Sequence, residues 1–319
     1  MFQTRVEIPH STLKISYEDK IMTLGSCFAE NIGKKMNAVY FLTDVNPFGV
    51  LYNPISISNS IELLLQNKTF TVDDIFENQS IWQSFSHSSQ FSNPSAEACL
   101  NVINSQVELS GNFIRQTNIL MITFGTAWVF EEVKSGRVVS NCHKLPASGF
   151  TRRRLEVNEI VDAYSCLMCN LLNKNPELQI ILSVSPIRHW KDGATENSIS
   201  KSTLLLAVNE LKEQFENIHY FPAYEIQMDE LRDYRFYAAD MLHPSDVAVD
   251  YIWNRFSETY FSLQTQQLKL QIEQYNADLA HRPIHPESEE FKKFQQKTIE
   301  RKTKILSEYP FLSNRMKRA

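Results

Sequence analysis

Three features of the 319-residue chain predict an α/β fold with a parallel sheet covered on both faces. Short apolar runs of strand length alternate with segments of helical periodicity. Three of only eight glycines, Gly25, Gly49 and Gly125, sit just after such runs. A chain this poor in glycine keeps it where the backbone bends sharply or comes close to something, so each marks a strand-to-loop junction. The hydrophobic fraction, 43%, is ample for a packed core.

The elements follow in order. Ile21–Leu24 is an apolar strand ending at Gly25, and Ala29–Met36 has helical composition. Val39–Leu42 reads as a second strand leading to the loop Asn46-Pro47-Phe48-Gly49. In Ile55–Leu65, Ile57, Ile61, Leu64 and Leu65 share one helical side. The Ser-, Gln- and Asn-rich stretch Phe70–Asn93 reads as irregular, and Ala96–Ile114 as a helix. Ile119–Phe124, closed by Gly125, is the clearest strand. Trp128–Val133 and Arg137–Ser140 flank Lys134-Ser135-Gly136 as a hairpin. Val157–Leu172 is helical, Gln179–Val184 a strand, and Leu204–Phe215 a helix with Leu204, Val208, Leu211 and Phe215 on one side. His219–Phe221 is the last strand and Val247–Phe261 the last helix of the main body. From Gln264 the composition turns basic, with eleven Lys and Arg against seven Asp and Glu, inside a chain of net charge −5. Leu268, Ile272, Tyr275 and Leu279 form a stripe there. The expected organisation is a body over 1–263 and, over 264–319, two helices packed back on an acidic body, which also offer a surface for homo-oligomerisation.

Composition narrows the function. With 32 basic and 37 acidic residues, the chain lacks the basic footprint of a nucleic-acid binder. No apolar run approaches the ~20 residues of a membrane span, and the first residues carry no leader pattern. Five sparse cysteines argue against a disulfide framework and for a reducing, cytoplasmic setting. No Walker loop, GxGxxG or EF-hand is present, so no cofactor is expected.

Ligands of open α/β sheets bind beyond the carboxyl ends of the strands. There stand Gly25-Ser26-Cys27, Asn46–Gly49, Gly125-Thr126, Ser185–His189 and Asp240–His243. A nucleophile on a tight strand-to-helix turn faces the unpaired amides of the helix, which favour a thiolate and can hold an oxyanion. The plainer reading makes Ser26 an N-cap and Cys27 a small apolar residue. Asp240, three residues before His243, can orient the imidazole through one nitrogen while the other serves the nucleophile. Otherwise the pair is a surface histidine beside a capping acid.

The motifs LGSCFAENIG, NPFGVLYNP, TFGTAWVF, CHKLP, SPIRH, ENSISKST and DMLHPS, in that order over about 21–260, resemble the bacterial GSCFA family. That family is grouped with the SGNH/GDSL hydrolases. The resemblance implies a flavodoxin-like three-layer α/β/α sandwich with a central parallel sheet, here with a C-terminal helical extension. It also implies an esterase working through an acyl-enzyme on a small-molecule or carbohydrate acyl ester. Matching Gly25 to the glycine of Gly-Asp-Ser places the nucleophile at Cys27, with Ser26 the alternative; Asp240 and His243 complete the triad, and Gly49 supplies an oxyanion N–H.

Two departures matter. The third block reads Gly125-Thr126-Ala127, without the usual Asn donor, leaving Thr126, Asn46 or His143 as substitutes. The nucleophile is a thiol, and a thioester passes its acyl group to a hydroxyl as well as to water, so an O-acyltransferase is a second expectation. An inactive binding or scaffold protein on the same fold is the third. Arg188 and His189 follow a strand and suit an anionic or sugar substrate. Cys166 and Cys169 lie mid-helix without a second pair and read as core packing. Pro283 separates His281 from His285, so no metal site is expected.

Overall fold

The computed structural model describes residues 4–317. The readings of the first residues and of the tail extend onto 1–3, 318 and 319, which lie outside the described residues. In chain order the main elements are β1 (Lys20–Gly25), α1 (Cys27–Ala38), β2 (Leu42–Val45), α2 (Pro54–Gln66), β3 (Phe76–Asn78) and β4 (Ile81–Gln83). There follow α3 (Ala96–Ile114), β5 (Ile119–Phe124), β6 (Trp128–Glu132), β7 (Val138–Val139), β8 (Phe150–Arg154) and α4 (Val157–Lys174). The chain continues with β9 (Gln179–Val184), α5 (Gly193–Gln214), β10 (Ile218–Tyr220) and the single turn α6 (Ala223–Glu225). It ends with α7 (Asp246–Tyr260), α8 (Leu263–Ala280), α9 (Glu289–Glu308) and the short α10 (Leu312–Arg315).

Among the described residues, five strands form the central sheet in the order β10-β9-β5-β1-β2, all parallel. This is the flavodoxin-like arrangement, with the order reversing at β1. Side chains alternate across the sheet, as strand geometry requires. Met22, Leu24, Leu120, Ile122, Leu182 and Val184 pack into the core shared with α2–α5. Ile21, Ile119, Met121 and Ile181 turn to the other face, under α1 and α7. The three layers of the expected sandwich are therefore present.

The extension shares the second core. Leu268, Ile272 and Tyr275 of α8 and Ile305 of α9 are buried with the α1 and α7 residues, while Leu279 is exposed and falls off the stripe. Arg315 donates to the carbonyls of Tyr17 and Tyr40, at 2.9 and 3.2 Å. Lys269 and Arg301 pair with Glu273 and Asp278 inside the extension itself. Apolar burial and hydrogen bonds, more than charge complementarity, dock it.

Four element readings need correction. Val39–Leu42 is mostly turn: α1 runs to Ala38, Tyr40 has φ 66°, and β2 starts only at Leu42. Val39 and Phe41 are apolar because the turn itself is buried. The stretch 70–93 contains a small hairpin, β3–β4, turning through Gln79 and Ser80, both at positive φ. A third strand, β8, pairs antiparallel with β6 beside the expected hairpin. The arginine-rich segment gave no strand signal because ion pairs to Glu131, Glu159 and Glu196 hold it. Finally, α5 begins at Gly193, since its first turns bury the polar Asn197, Ser200 and Lys201 instead of an apolar stripe.

At the end of β1 the backbone of Gly25 has φ +132°, and a Cβ there would stand 2.2 Å from the Thr123 carbonyl oxygen. Gly25→Ala is expected to cost about 3 kcal/mol or more of unfolding free energy in urea titrations. Gly136→Ala also sits at positive φ, but in open space. It should cost only about 1 kcal/mol.

Candidate active site

Gly25 delivers the chain into α1 with Ser26 as its cap. Ser26 donates its N–H to the Thr123 carbonyl at 3.2 Å, and its Oγ accepts from Phe28 N at 3.3 Å. The serine is 1% exposed. Its hydroxyl thus serves the helix end, as the capping reading of Ser26 expects. Cys27 occupies the first helical position, partly exposed, with its Sγ 3.6 Å from the Tyr52 hydroxyl.

Tyr52 escaped the sequence reading, although it lies inside NPFGVLYNP. The loop carrying it is clipped to two strand ends. Asn46 donates its N–H to Thr23 O and accepts from Gly25 N through Oδ1; Leu51 N donates to Gly25 O. On the other side, Gly125 N and Thr126 N both donate to the Tyr52 carbonyl. Asn53 then caps α2. These bonds hold the phenol beside the thiol. Burial, reinforced by the Cys27 contact, pushes the Tyr52 pKa well above its ordinary value, so its proton is retained at any working pH.

Asp240 and His243 stand on the loop before α7. Asp240 Oδ1 accepts from the amides of Leu242 and His243, at 3.0 and 2.9 Å, and Oδ2 lies 2.5 Å from His243 Nδ1. Those two amides, ahead of the imidazole contact, hold the Asp240 pKa down to about 2. A fixed carboxylate on Nδ1 leaves Nε2 to face a reacting group. His243, Cys27, Ser26 and Tyr52 all line one cavity of about 1030 Å³ at the carboxyl ends of the strands. The thiol's hydrogen-bond partner is the Tyr52 hydroxyl; among the described residues no hydrogen bond joins it to His243.

The antiparallel strands wall the same cavity with Trp128, Phe130 and Arg152, whose guanidinium lies 4.3 Å above the Trp128 ring. His189 also lines it, edge-on to Tyr52 at 5.5 Å; burial and then nearby Lys201 push its pKa down to about 4. Behind this wall Lys201 is 1% exposed and donates to the carbonyls of Gly125 and Ser185, both at 2.7 Å. Burial pushes that ammonium down to about 7, and it ties together the loops leaving β5 and β9. No apolar periodicity marks it, so only its place in ENSISKST pointed there.

Several expected oxyanion donors are committed elsewhere. The Gly49 N–H donates to Asn46 O at 2.7 Å inside its own turn, and a Cβ at Gly49 would strike Ser88. The neighbouring Val50 lines the cavity instead, and its N–H has no acceptor among the described residues. Asn46 is buried in the loop and does not line the cavity, with Oδ1 accepting from Gly25 N and Nδ2 without a partner among the described residues. Thr126 Oγ1 is bonded to Ser200 Oγ at 3.1 Å, although Thr126 does reach the cavity wall. His143 points away: its Nε2 meets Ser84 O at 2.8 Å and its ring packs on Phe76. Arg188 and His189 do reach the cavity. Cys166 and Cys169 correct another expectation, being exposed on α4 and not in the core. No helix is long and apolar enough to cross a membrane among the described residues.

Comparison with known proteins adds the following. The profile of the GSCFA family matches residues 20–256, and that of the GSCFA C-terminal domain matches residues 272–319. No curated protein sequence matches the chain significantly. Among solved structures, an acetyl xylan esterase, Est2A, from Butyrivibrio proteoclasticus is similar at 12% identity and TM-score 0.39, over 76% of this chain and 64% of its own. A carbohydrate esterase family 3 protein from Talaromyces cellulolyticus is similar at 8% identity and TM-score 0.36, over 79% and 98%. With its sequence motifs matched over most of its length and laid out on a parallel α/β sheet, this chain belongs to the GSCFA family.

Proposed function

We propose that this protein is an acyl esterase that works through a thioester on Cys27. The observation that carries the reading is one cavity holding both a thiol on a helix N-terminus and an imidazole fixed by a carboxylate. His243 takes the thiol proton as the sulfur attacks the ester carbonyl; Asp240 steadies the imidazolium. Such proton-transfer contacts are often long without substrate and shorten in the bound complex. The C–S bond forms, the alkoxide departs with the proton from His243, and water then releases the acid. Negative charge on the carbonyl oxygen meets the free Cys27 and Val50 amides and the protonated Tyr52 hydroxyl, which take the place of the missing Asn. The substrate class remains the small-molecule or carbohydrate acyl ester that the family resemblance implies. A thiol nucleophile also favours acyl transfer, in which a sugar hydroxyl replaces water at the second step.

Cys27→Ala is expected to abolish turnover of 4-nitrophenyl acetate, while Ser26→Ala keeps most of it and loses about 1 kcal/mol of stability. Mass spectrometry of quenched reactions should find the acetyl group on the Cys27 peptide. Acetylation elsewhere, or activity surviving in Cys27→Ala, defeats the reading.

Tyr52→Phe is expected to lower kcat by about 10²-fold with little change in KM, as for loss of one oxyanion donor. For Asp240→Asn, steady-state assays should show a kcat lower by about 10²–10⁴-fold. Because Asp240 stays ionised down to about pH 2, loss of activity between pH 6 and 4 is not its titration. Asp240→Asn should therefore reduce the height of the pH profile across that whole interval, as kcat measured at half-unit steps will show.

A further inference from the structure

We propose that the cavity takes an acyl substrate bearing an anionic oxygen group, a carboxylate or phosphate, and that Arg188 binds that group. The proposal rests on Cys27 being the nucleophile and adds the charge of what it attacks.

Arg188 stands where two cavities meet. It lines the main one, of about 1030 Å³, and an adjoining one of about 420 Å³ that passes over Asp240 and Leu242. Trp190 and Leu242 are shared by both walls, so the two spaces adjoin beside the Asp240–His243 loop. The guanidinium lies over the ring of Trp190, 5.2 Å from its centroid. Its Nε is buried and has no hydrogen-bond partner among the described residues. A charged donor withdrawn from water without an acceptor is costly, and a ligand oxygen at the cavity junction would satisfy it.

The charges around it have no other use for the arginine. The carboxylates lining the two cavities are Asp192, Asp233 and Asp240. Asp192 is paired with Arg152, Asp233 with Arg235, and Asp240 with His243 and two amides. Arg232, also in the wall, is paired with Asp229. Among the described residues Arg188 and its neighbour Lys191 make no ion pair, and Lys201 behind them bonds only carbonyls. A surplus of positive charge thus faces the cavity of a protein whose net charge is −5. Such a concave positive field in a negative molecule draws anions to the site and orients them. A neutral sugar ester would leave both the Nε donor and the surplus unused.

The test compares two alkylating agents of the same reactivity class and different charge on the full-length protein. Iodoacetamide is neutral and iodoacetate carries a carboxylate; in each, the sulfur displaces iodide and forms a C–S bond. Rates are read site by site by mass spectrometry, with exposed Cys166 and Cys169 as internal references. The expected iodoacetate-to-iodoacetamide rate ratio at Cys27 exceeds that at the references about tenfold. It falls about fivefold or more in Arg188→Gln and is partly kept in Arg188→Lys. At fixed ionic strength, protection of Cys27 by inorganic phosphate but not acetate assigns a phosphate-bearing substrate, and the reverse assigns a carboxylate. A Cys27 ratio equal to the references, or unchanged in Arg188→Gln, overturns the proposal alone, as does protection by neither anion. A Cys27 inert to both reagents overturns it together with the nucleophile reading.

Discussion

The close approach of β1 to β5 at Gly25 is the constraint on which the site depends. The turn passes so near the Thr123 carbonyl that no side chain fits, and Ser26 N bonds that same carbonyl. Because the two strands are in register there, with Gly25 opposite Thr123, the position of Cys27, the proposed nucleophile, is set by the sheet itself. Rigid placement of this kind suits a catalytic group that must meet a carbonyl within a fraction of an ångström. The Asp240–His243 pair on the far side of the cavity is built differently. Asp240 and His243 lie on a loop, about half exposed, and are organised by their own short hydrogen bonds.

Much of this was legible in the sequence because two physical signals coincide. Strands buried on both faces read as continuous apolar runs, and Ile119–Phe124 and Gln179–Val184 emerge with the bounds seen in the fold. Glycine after such a run marks the turn, which is how Cys27 came into view. What escaped was held by polar contacts that leave no period. The strand β8 is pinned by arginine–glutamate pairs, and the first turns of α5 are buried through Asn197, Ser200 and Lys201. Tyr52 escaped for another reason: its value comes from loop bonds to Gly125 and Thr126, over seventy residues away, and no local pattern encodes them. Gly49 differs in the opposite direction, since its conformational freedom serves a tight approach to Ser88 and its N–H is spent on Asn46 O.

The polar layer behind the cavity does what an apolar core would not. Lys201 gives two protons to the carbonyls that end β5 and begin the loop after β9, while Ser200 bonds Thr126 and the Ala127 amide. One helix therefore fixes two loops that each supply cavity wall. A hydrophobic residue at 201 would fill the space but leave the Gly125 and Ser185 carbonyls without these donors, a loss felt as looseness in the walls.

The packing of α1 has a consequence for when the site exists at all. The helix bearing Cys27 is covered on its outer side by α7 and the extension, from segments more than two hundred residues later in the chain. An isolated bridge joins Ile15 to Phe261, and Arg315 reaches back to Tyr17, a separation of 298 residues. Contacts of such long sequence separation close slowly, because loop entropy is lost before they form. During synthesis the segment bearing Cys27 is made more than two hundred residues before the helices that cover it. The sulfur of Cys27 is thus made well before the packing that seats its helix.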